Sequence, residues 1–272
     1  MERVIAWKDR PLIMGVLNVT PDSFFDGGRH NTTEGAISHA LSMVDEGADI
    51  IDIGGESTRP FSEPVSTEEE LNRVIPVIEG IKTRSDIPVS IDTNKAKVAR
   101  AACDAGADMV NDISGLSFDK DMARTVSDLN AYVVIMHIKG TPVNMQNHPY
   151  YEDVISEIMV FFKERIEFAR RHGIDDDRII LDPGIGFGKR VQDNLTIIKN
   201  LRLFEELKKP ILIGTSMKSF IGYINYSPLE ERVEGTLASV AISIWNGADI
   251  VRVHDVKRTK KVVQLVNAIF NA

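Results

Sequence analysis

The 272-residue chain has a single cysteine, Cys103, so no intrachain disulfide can form and a reducing compartment is expected. Cys103 sits in the helical stretch from Ala101 to Ala105, where a lone thiol is expected to pack rather than react. No segment approaches the roughly 18 apolar residues of a membrane span, and Met1 to Lys8 lack the apolar core of a signal peptide. A cytoplasmic protein is expected. An excess of positive charge is also missing: 32 basic residues against 40 acidic ones give a net charge of −8, with the two signs interspersed. That argues against a nucleic-acid or membrane-surface partner. His-Glu-x-x-His and paired cysteines are absent, which removes the zinc readings. No Pro/Gly/Ser linker divides the chain, and one domain over residues 1–272 is expected.

What the chain does contain is an internal repeat. Gly47-Ala48-Asp49-Ile50-Ile51, Gly106-Ala107-Asp108-Met109-Val110 and Gly247-Ala248-Asp249-Ile250-Val251 share one pattern. Each glycine reads as a helix stop and each apolar pair as the start of a buried strand. The glycines lie 59 and 141 residues apart, which fits two and four steps of a strand-plus-helix unit of roughly 30 to 35 residues. On that period eight apolar runs emerge: Leu12 to Leu17, Ile50 to Ile53, Pro88 to Ile91, Met109 to Val110, Tyr132 to Met136, Ile179 to Leu181, Ile211 to Ile213 and Ile250 to Val253. Helix-period segments lie between them, such as Ile155, Ile158, Phe162, Ile166 and Ala169. Eight alternating units predict an α/β fold of one (β/α)8 TIM barrel. Two strand-to-helix connections, Asn18 to Asn31 and Gly54 to Ser66, are long and rich in Gly, Pro, Asp and Ser. They are expected to be flexible lids.

The strand ends carry the chemistry. They read Asn18, then Glu56 to Arg59, Asp92, Asn111-Asp112, His137, Asp182, Lys218, and Arg252 with His254. Asp and Asn also serve as caps and turn formers, and Asp49 and Asp112 are expected to be of that kind. Eight polar ends on one rim are not explained that way, because barrel enzymes work at this face. Arg252 and His254 are two apart on a strand and project to one side, forming an anion corner. Deeper in, Asp92, Asn111, Asp182 and Lys218 offer carboxylates, an amide and an ammonium. That mixture suits a flat heterocycle with both donors and acceptors. The run Gly184-Ile185-Gly186-Phe187-Gly188-Lys189 superficially suggests a nucleotide loop, but its spacing fits neither common fingerprint. His30, His39, His148 and His172 are expected to be surface or structural, and His137 to support the site rather than act in it.

At these residues the sequence resembles the dihydropteroate synthase family of pterin-binding barrels. The resemblance runs through Met14 to Phe24, Gly54 to Pro60, Ser90 to Thr93, Asn111 to Gly115, Met136-His137, Asp182 to Lys189, Ser216 with Lys218 to Phe220, and Arg252 to His254. It implies condensation of 7,8-dihydropterin-6-ylmethyl diphosphate with 4-aminobenzoate, with Mg²⁺ as cofactor, in an enzyme that is commonly a homodimer. Carried over residue by residue, it implies pterin binding by Asp92, Asn111, Ile113, Met136, Asp182, Phe187, Lys218 and Arg252. It implies diphosphate contacts from Asn18, Arg59, Arg252 and His254, with Asn18 on the metal, and an aminobenzoate pocket of Thr58, Arg59, Pro60, Phe187, Lys218 and Ser219. Catalysis would fall to Asp92, Lys218, Asn18, Arg252 and His254.

Two places depart from the family pattern. Met217 stands where an arginine commonly precedes the lysine, and Phe61-Ser62 where Gly-Ala is common. Both lie toward the second substrate. The rival readings are a methyltetrahydrofolate-dependent methyltransferase on the same barrel and a non-catalytic pterin-binding subunit. The Lys218-Ser219 pair and the long loops argue against the first. Asn18 and the Arg252/His254 corner argue against the second.

Overall fold

The computed structural model describes residues 10–20, 29–57 and 62–272. Eight strands, β1 (Leu12–Asn18), β2 (Ile50–Gly54), β3 (Val89–Asp92), β4 (Met109–Asp112), β5 (Tyr132–Met136), β6 (Ile179–Asp182), β7 (Leu212–Ile213) and β8 (Ile250–Val253), are all paired in parallel. Their order is β6-β5-β4-β3-β2-β1-β8-β7. A parallel bridge between Leu181 and Ile211 closes β6 on β7, so the sheet becomes a barrel. The helices follow in turn: α1 (Arg29–Glu46), α2 (Thr67–Lys82), α3 (Ala96–Asp104), α4 (Met122–Leu129), α5 (Val154–Arg171), α6 (Val191–Lys199), α7 (Ser219–Asn225), α8 (Val233–Trp245) and α9 (Val256–Phe270).

The predicted strands are all present, and several run longer than their apolar stretches. Asn18, Asp92, Asn111, Asp112 and Asp182 are the last residues of strands rather than turn residues beyond them. The β7 to β8 connection holds two helices instead of one, the short α7 coming first. Helix α1 begins at Arg29, two residues before the expected end of the first long connection.

Period two splits the apolar residues between the faces of the barrel wall. Leu12, Met14, Ile50, Met109, Tyr132, Val134, Ile180, Leu212 and Ile250 form one buried cluster inside the barrel. Their neighbours, such as Ile13, Ile51, Val110, Val133, Ile179 and Val251, join the helices in a second, larger cluster outside it. On α5 the buried stripe is Val154, Ile158, Phe162, Ile166 and Ala169.

The three-fold repeat is one turn used three times at the N-terminal face. Gly47, Gly106 and Gly247 take φ values of 105°, 112° and 98°, a left-handed region in which a side chain would be strained. The aspartate two residues on then caps the preceding strand: Asp49 accepts from Ile13 N at 2.9 Å, Asp108 from Val89 N at 3.0 Å and Asp249 from Ile211 N at 2.7 Å. Asp49 is therefore a strand cap, where a helix cap or turn former was expected. Arg10 and Lys82 add ion pairs to Asp49 and Asp108.

Candidate active site

The inward series of each strand changes character along the barrel. On β2 it runs Ile50, Asp52, Gly54; on β4, Met109, Asn111; on β6, Ile180, Asp182; on β8, Ile250, Arg252, and then His254 just beyond. The lower members fill the interior, and the upper members meet a cavity of about 760 Å³ at the C-terminal face. Strands β1, β3, β4, β5 and β6 and the residues following them bring Asn18, Asp92, Asn111, Ile113, Met136 and Asp182 to its wall. Phe187, Lys218, Ser219, Arg252 and His254 complete the set. Thr58, Arg59, Pro60 and the Phe61 departure lie outside the described residues. Ser57, just before them, lines the cavity.

The floor is an ionic network. Arg252 Nε donates to Asp52 Oδ2 at 2.6 Å and Arg252 Nη2 to Asp92 Oδ2 at 2.7 Å. Asn111 Nδ2 shares the same Asp52 oxygen at 3.1 Å. Asp52 Oδ1 and Asp92 Oδ1 are buried with no hydrogen-bond partner. Burial raises the Asp92 carboxyl well above the usual carboxylate range; Arg252 opposes that shift, and Asp52, Glu70 and Asp112 reinforce it. Burial also raises Asp182, to about 6, against the stabilising Gly184 N–H at 2.7 Å and the nearby cations. Lys218 is lowered to about 8 by burial and by Arg252, with Asp182 and Asp92 pulling the other way. Burial alone would lower Arg252, but Asp52 and Asp92 overcome it and hold the guanidinium charged. Arg252 is thus part of the floor, and not a free member of an anion corner with Asn18 and His254. His254 stands exposed on the rim, with Nδ1 2.9 Å from Ser216 Oγ.

The loop after β6 supplies one wall. Gly184, Gly186 and Gly188 all have positive φ. A Cβ on Gly184 would lie 2.1 Å from the His137 carbonyl oxygen, so only glycine fits. Lys189 turns back beneath the loop, its Nζ 3.0 Å from His137 Nδ1 and donating to His137 O at 3.2 Å and Phe187 O at 3.1 Å. Burial lowers Lys189 to about 7, and burial with the lysine charges lowers His137 to about 2, so the imidazole is neutral. The glycines and Lys189 therefore strap this loop onto the end of β5. The strap holds Phe187 against the cavity, where the Lys218 ammonium lies 4.3 Å from its ring centre.

Some rim residues point elsewhere. Glu56 is ion-paired with Lys95, which also reaches the buried Glu70 at 2.5 Å. Asp112 accepts from Ser114 N and Leu116 N and forms a turn, as its type predicts. Met217 sits at φ 59°, with its carbonyl held by Arg232, a cavity residue that the strand-end rule does not find. Gln146, which donates to Gly186 O at 2.9 Å, escapes for the same reason: neither follows a strand. Asp52 was within reach of sequence reasoning. It is in phase with Ile50 on β2, so period two alone turns it into the barrel.

A closed parallel barrel whose C-terminal face holds buried, pKa-shifted carboxylates and an ammonium in one cavity defines a (β/α)8-barrel enzyme. Which one follows from its kin. The model of the pterin binding enzyme family matches residues 14–254. A dihydropteroate synthase from Synechocystis sp. is 48% identical over 99% of this chain and 93% of its own length. The solved dihydropteroate synthase of Yersinia pestis, in complex with a sulfonamide drug, matches at a TM-score of 0.92 and 43% identity, covering 97% of this chain and 95% of that one. That of Xanthomonas albilineans, in complex with 7,8-dihydropteroate, matches at a TM-score of 0.90 and 42% identity over 99% and 97%. The chain belongs to the pterin-binding enzyme family, and within it to the dihydropteroate synthases.

Proposed function

We propose that this barrel condenses 7,8-dihydropterin-6-ylmethyl diphosphate with 4-aminobenzoate, releasing diphosphate and forming 7,8-dihydropteroate for folate synthesis. One observation carries the chemistry: Asp92 and Asp182 are buried in the same cavity with Lys218 and Arg252 close by. That set matches a pterin edge, on which N–H donors and a carbonyl alternate. Asp182 accepts from the 2-amino and N3–H groups, two parallel charge-assisted bonds that fix the ring. Asn111 and Asp92 serve the other ring nitrogens and Lys218 the carbonyl side, while Ile113, Met136 and Phe187 provide apolar walls. The reaction is dissociative. The C–O bond to diphosphate breaks with its electron pair leaving on oxygen, and the resulting cation delocalises into the reduced pterin. The Asp92 carboxylate stabilises that positive charge, and His254 stabilises the departing anion. The neutral arylamine then donates its lone pair to the exocyclic carbon and loses a proton to solvent, so no protein nucleophile is needed. Ser219, Lys218 and Phe187 hold the aminobenzoate; the resemblance gives Thr58, Arg59 and Pro60 roles toward the same substrate and Arg59 a role toward the diphosphate.

The donor set fits Mg²⁺ held largely by the substrate. Among the described residues no three His, Cys, Asp or Glu side chains gather as a metal site, while Asn18 offers one hard oxygen at the cavity. Asn18 would hold the ion, which when bound supplies charge that stabilises the diphosphate. A second copy of the chain would cover the exposed apolar face on α8 and α9, where Ile242, Trp245, Leu265, Ile269 and Phe270 are exposed and Trp245 stacks on Phe270 at 4.7 Å. A homodimer is the state this favours, and light scattering of Trp245→Glu should show a monomer. Among the described residues no helix is long and apolar enough to cross a membrane, and Cys103 is free, which supports action in the cytoplasm. The test is diphosphate release from the pterin diphosphate with Mg²⁺, with and without 4-aminobenzoate. Release that does not depend on the amine would defeat the reading.

A further inference from the structure

Beneath the floor of the cavity lies a carboxylate that does not line it. Asp52 is fully buried, and its Oδ2 takes two donors, Arg252 Nε at 2.6 Å and Asn111 Nδ2 at 3.1 Å. Its Oδ1 has no partner. A buried carboxylate oxygen without a donor is unfavourable, so stability alone does not account for an aspartate among the apolar side chains of the barrel interior. Its geometry does. The guanidinium is a rigid fork, and fixing Nε fixes the plane in which both Nη atoms must lie. With Nε on Asp52, Arg252 meets Asp92 through Nη2 alone, and Asp92 Oδ1 is left without a partner. Freed from Asp52, the fork could turn both nitrogens onto Asp92 as a bidentate pair and occupy both of its oxygens.

We propose that Asp52 is a positioning residue for the reaction: it anchors Arg252 through Nε and Asn111 through Nδ2, and thereby keeps one oxygen of Asp92, a residue of the cavity wall, unclaimed by any protein donor. The proposal rests on the pterin condensation argued above. Two variants test it. Asp52→Ser is too short to reach either donor, while Asp52→Asn keeps an acceptor in place and loses only the charge. With the assay and cofactor used for the wild-type enzyme, Asp52→Ser should lower kcat/KM for the pterin diphosphate roughly 10- to 100-fold, the range seen when the partner that orients a site's ligand is removed. Its KM for 4-aminobenzoate should stay unchanged, and Asp52→Asn should recover a large part of the loss. In an Arg252→Lys background, which lacks the fork, Asp52→Ser should cost clearly less than in the wild type, the remaining loss coming from the release of Asn111. Thermal melting of each variant separates folding from function. Additive losses in the Arg252→Lys background, or equal falls in kcat/KM for both substrates that track the melting temperature, would make Asp52 merely structural and overturn the proposal. An active wild-type enzyme with a fully active Asp52→Ser variant would do so too, leaving the condensation reading intact. A wild-type protein without amine-dependent diphosphate release would sink that reading instead, and Asp52→Ser would then be read by direct pterin binding, where unchanged affinity would count against it.

Discussion

The two ends of the barrel use the same side chain for opposite purposes. At the N-terminal face Asp49, Asp108 and Asp249 each accept from a backbone N–H of a neighbouring strand. At the C-terminal side Asp52 and Asp92 are buried more deeply, share one guanidinium, and each keeps an oxygen with no partner. A carboxylate satisfied by the main chain stabilises the fold and has no free acceptor to offer. One left partly unsatisfied costs stability, and where the residue lines the cavity, as Asp92 does, its second oxygen is an acceptor that no protein donor has claimed. The difference between the ends is therefore not composition but whether the surrounding protein completes the hydrogen bonds.

Three experiments would break or sharpen that contrast. The largest effect is expected from Asp92→Asn, which keeps the shape of the floor and removes the charge facing the cation. Turnover should fall roughly 10²- to 10³-fold, as when a group stabilising transition-state charge is lost, while calorimetry should still register pterin binding. Unchanged turnover would remove Asp92 from the chemistry. Next in size is the pH profile. Asp92 must be ionised to stabilise the cation and Asp182 to accept from the pterin, so kcat/KM should decline as pH falls through about 7 and then about 6 and the two raised carboxyls take up protons. Lys218 makes a charge-assisted bond only as the ammonium, so kcat/KM should decline again as pH rises through about 8. Beyond its own limb each group's loss should approach roughly tenfold per pH unit. A profile flat from pH 5 to 9 would mean that none of these groups acts in its charged form. The smallest effect on catalysis belongs to the opposite face. Asp249→Ala leaves Ile211 N without its carboxylate partner and should destabilise the fold by about 1–3 kcal/mol, read by denaturant titration, with kcat/KM unchanged. A catalytic defect there would show that the two faces are coupled.

Much of this was visible along the chain. The Gly-Ala-Asp repeat marked three strand starts, and its period located the others, because a parallel barrel repeats one local unit and the hydrophobic pattern of that unit is a short-range property. The polar strand ends pointed to the cavity for the same reason. What remained hidden was partnership. Glu56 reads as a rim residue like Asp92, yet it turns to Lys95. Arg252 reads as an anion ligand beside His254, yet two carboxylates from β2 and β3 hold it down. Gln146 and Arg232 reach the cavity from outside the strands, where no spacing rule applies.

By itself, the sequence determined the class of fold, the rim on which polar groups gather and the family to which the motifs belong, since each depends on residues close together in the chain. Only the tertiary structure decided which of those groups are spent on one another and which are left open. Arg252 and Asp52 are 200 residues apart, and Arg252 and Asp92 are 160. Their hydrogen bonds, and the shifts in proton affinity that follow from burying them together, exist only once the barrel has closed.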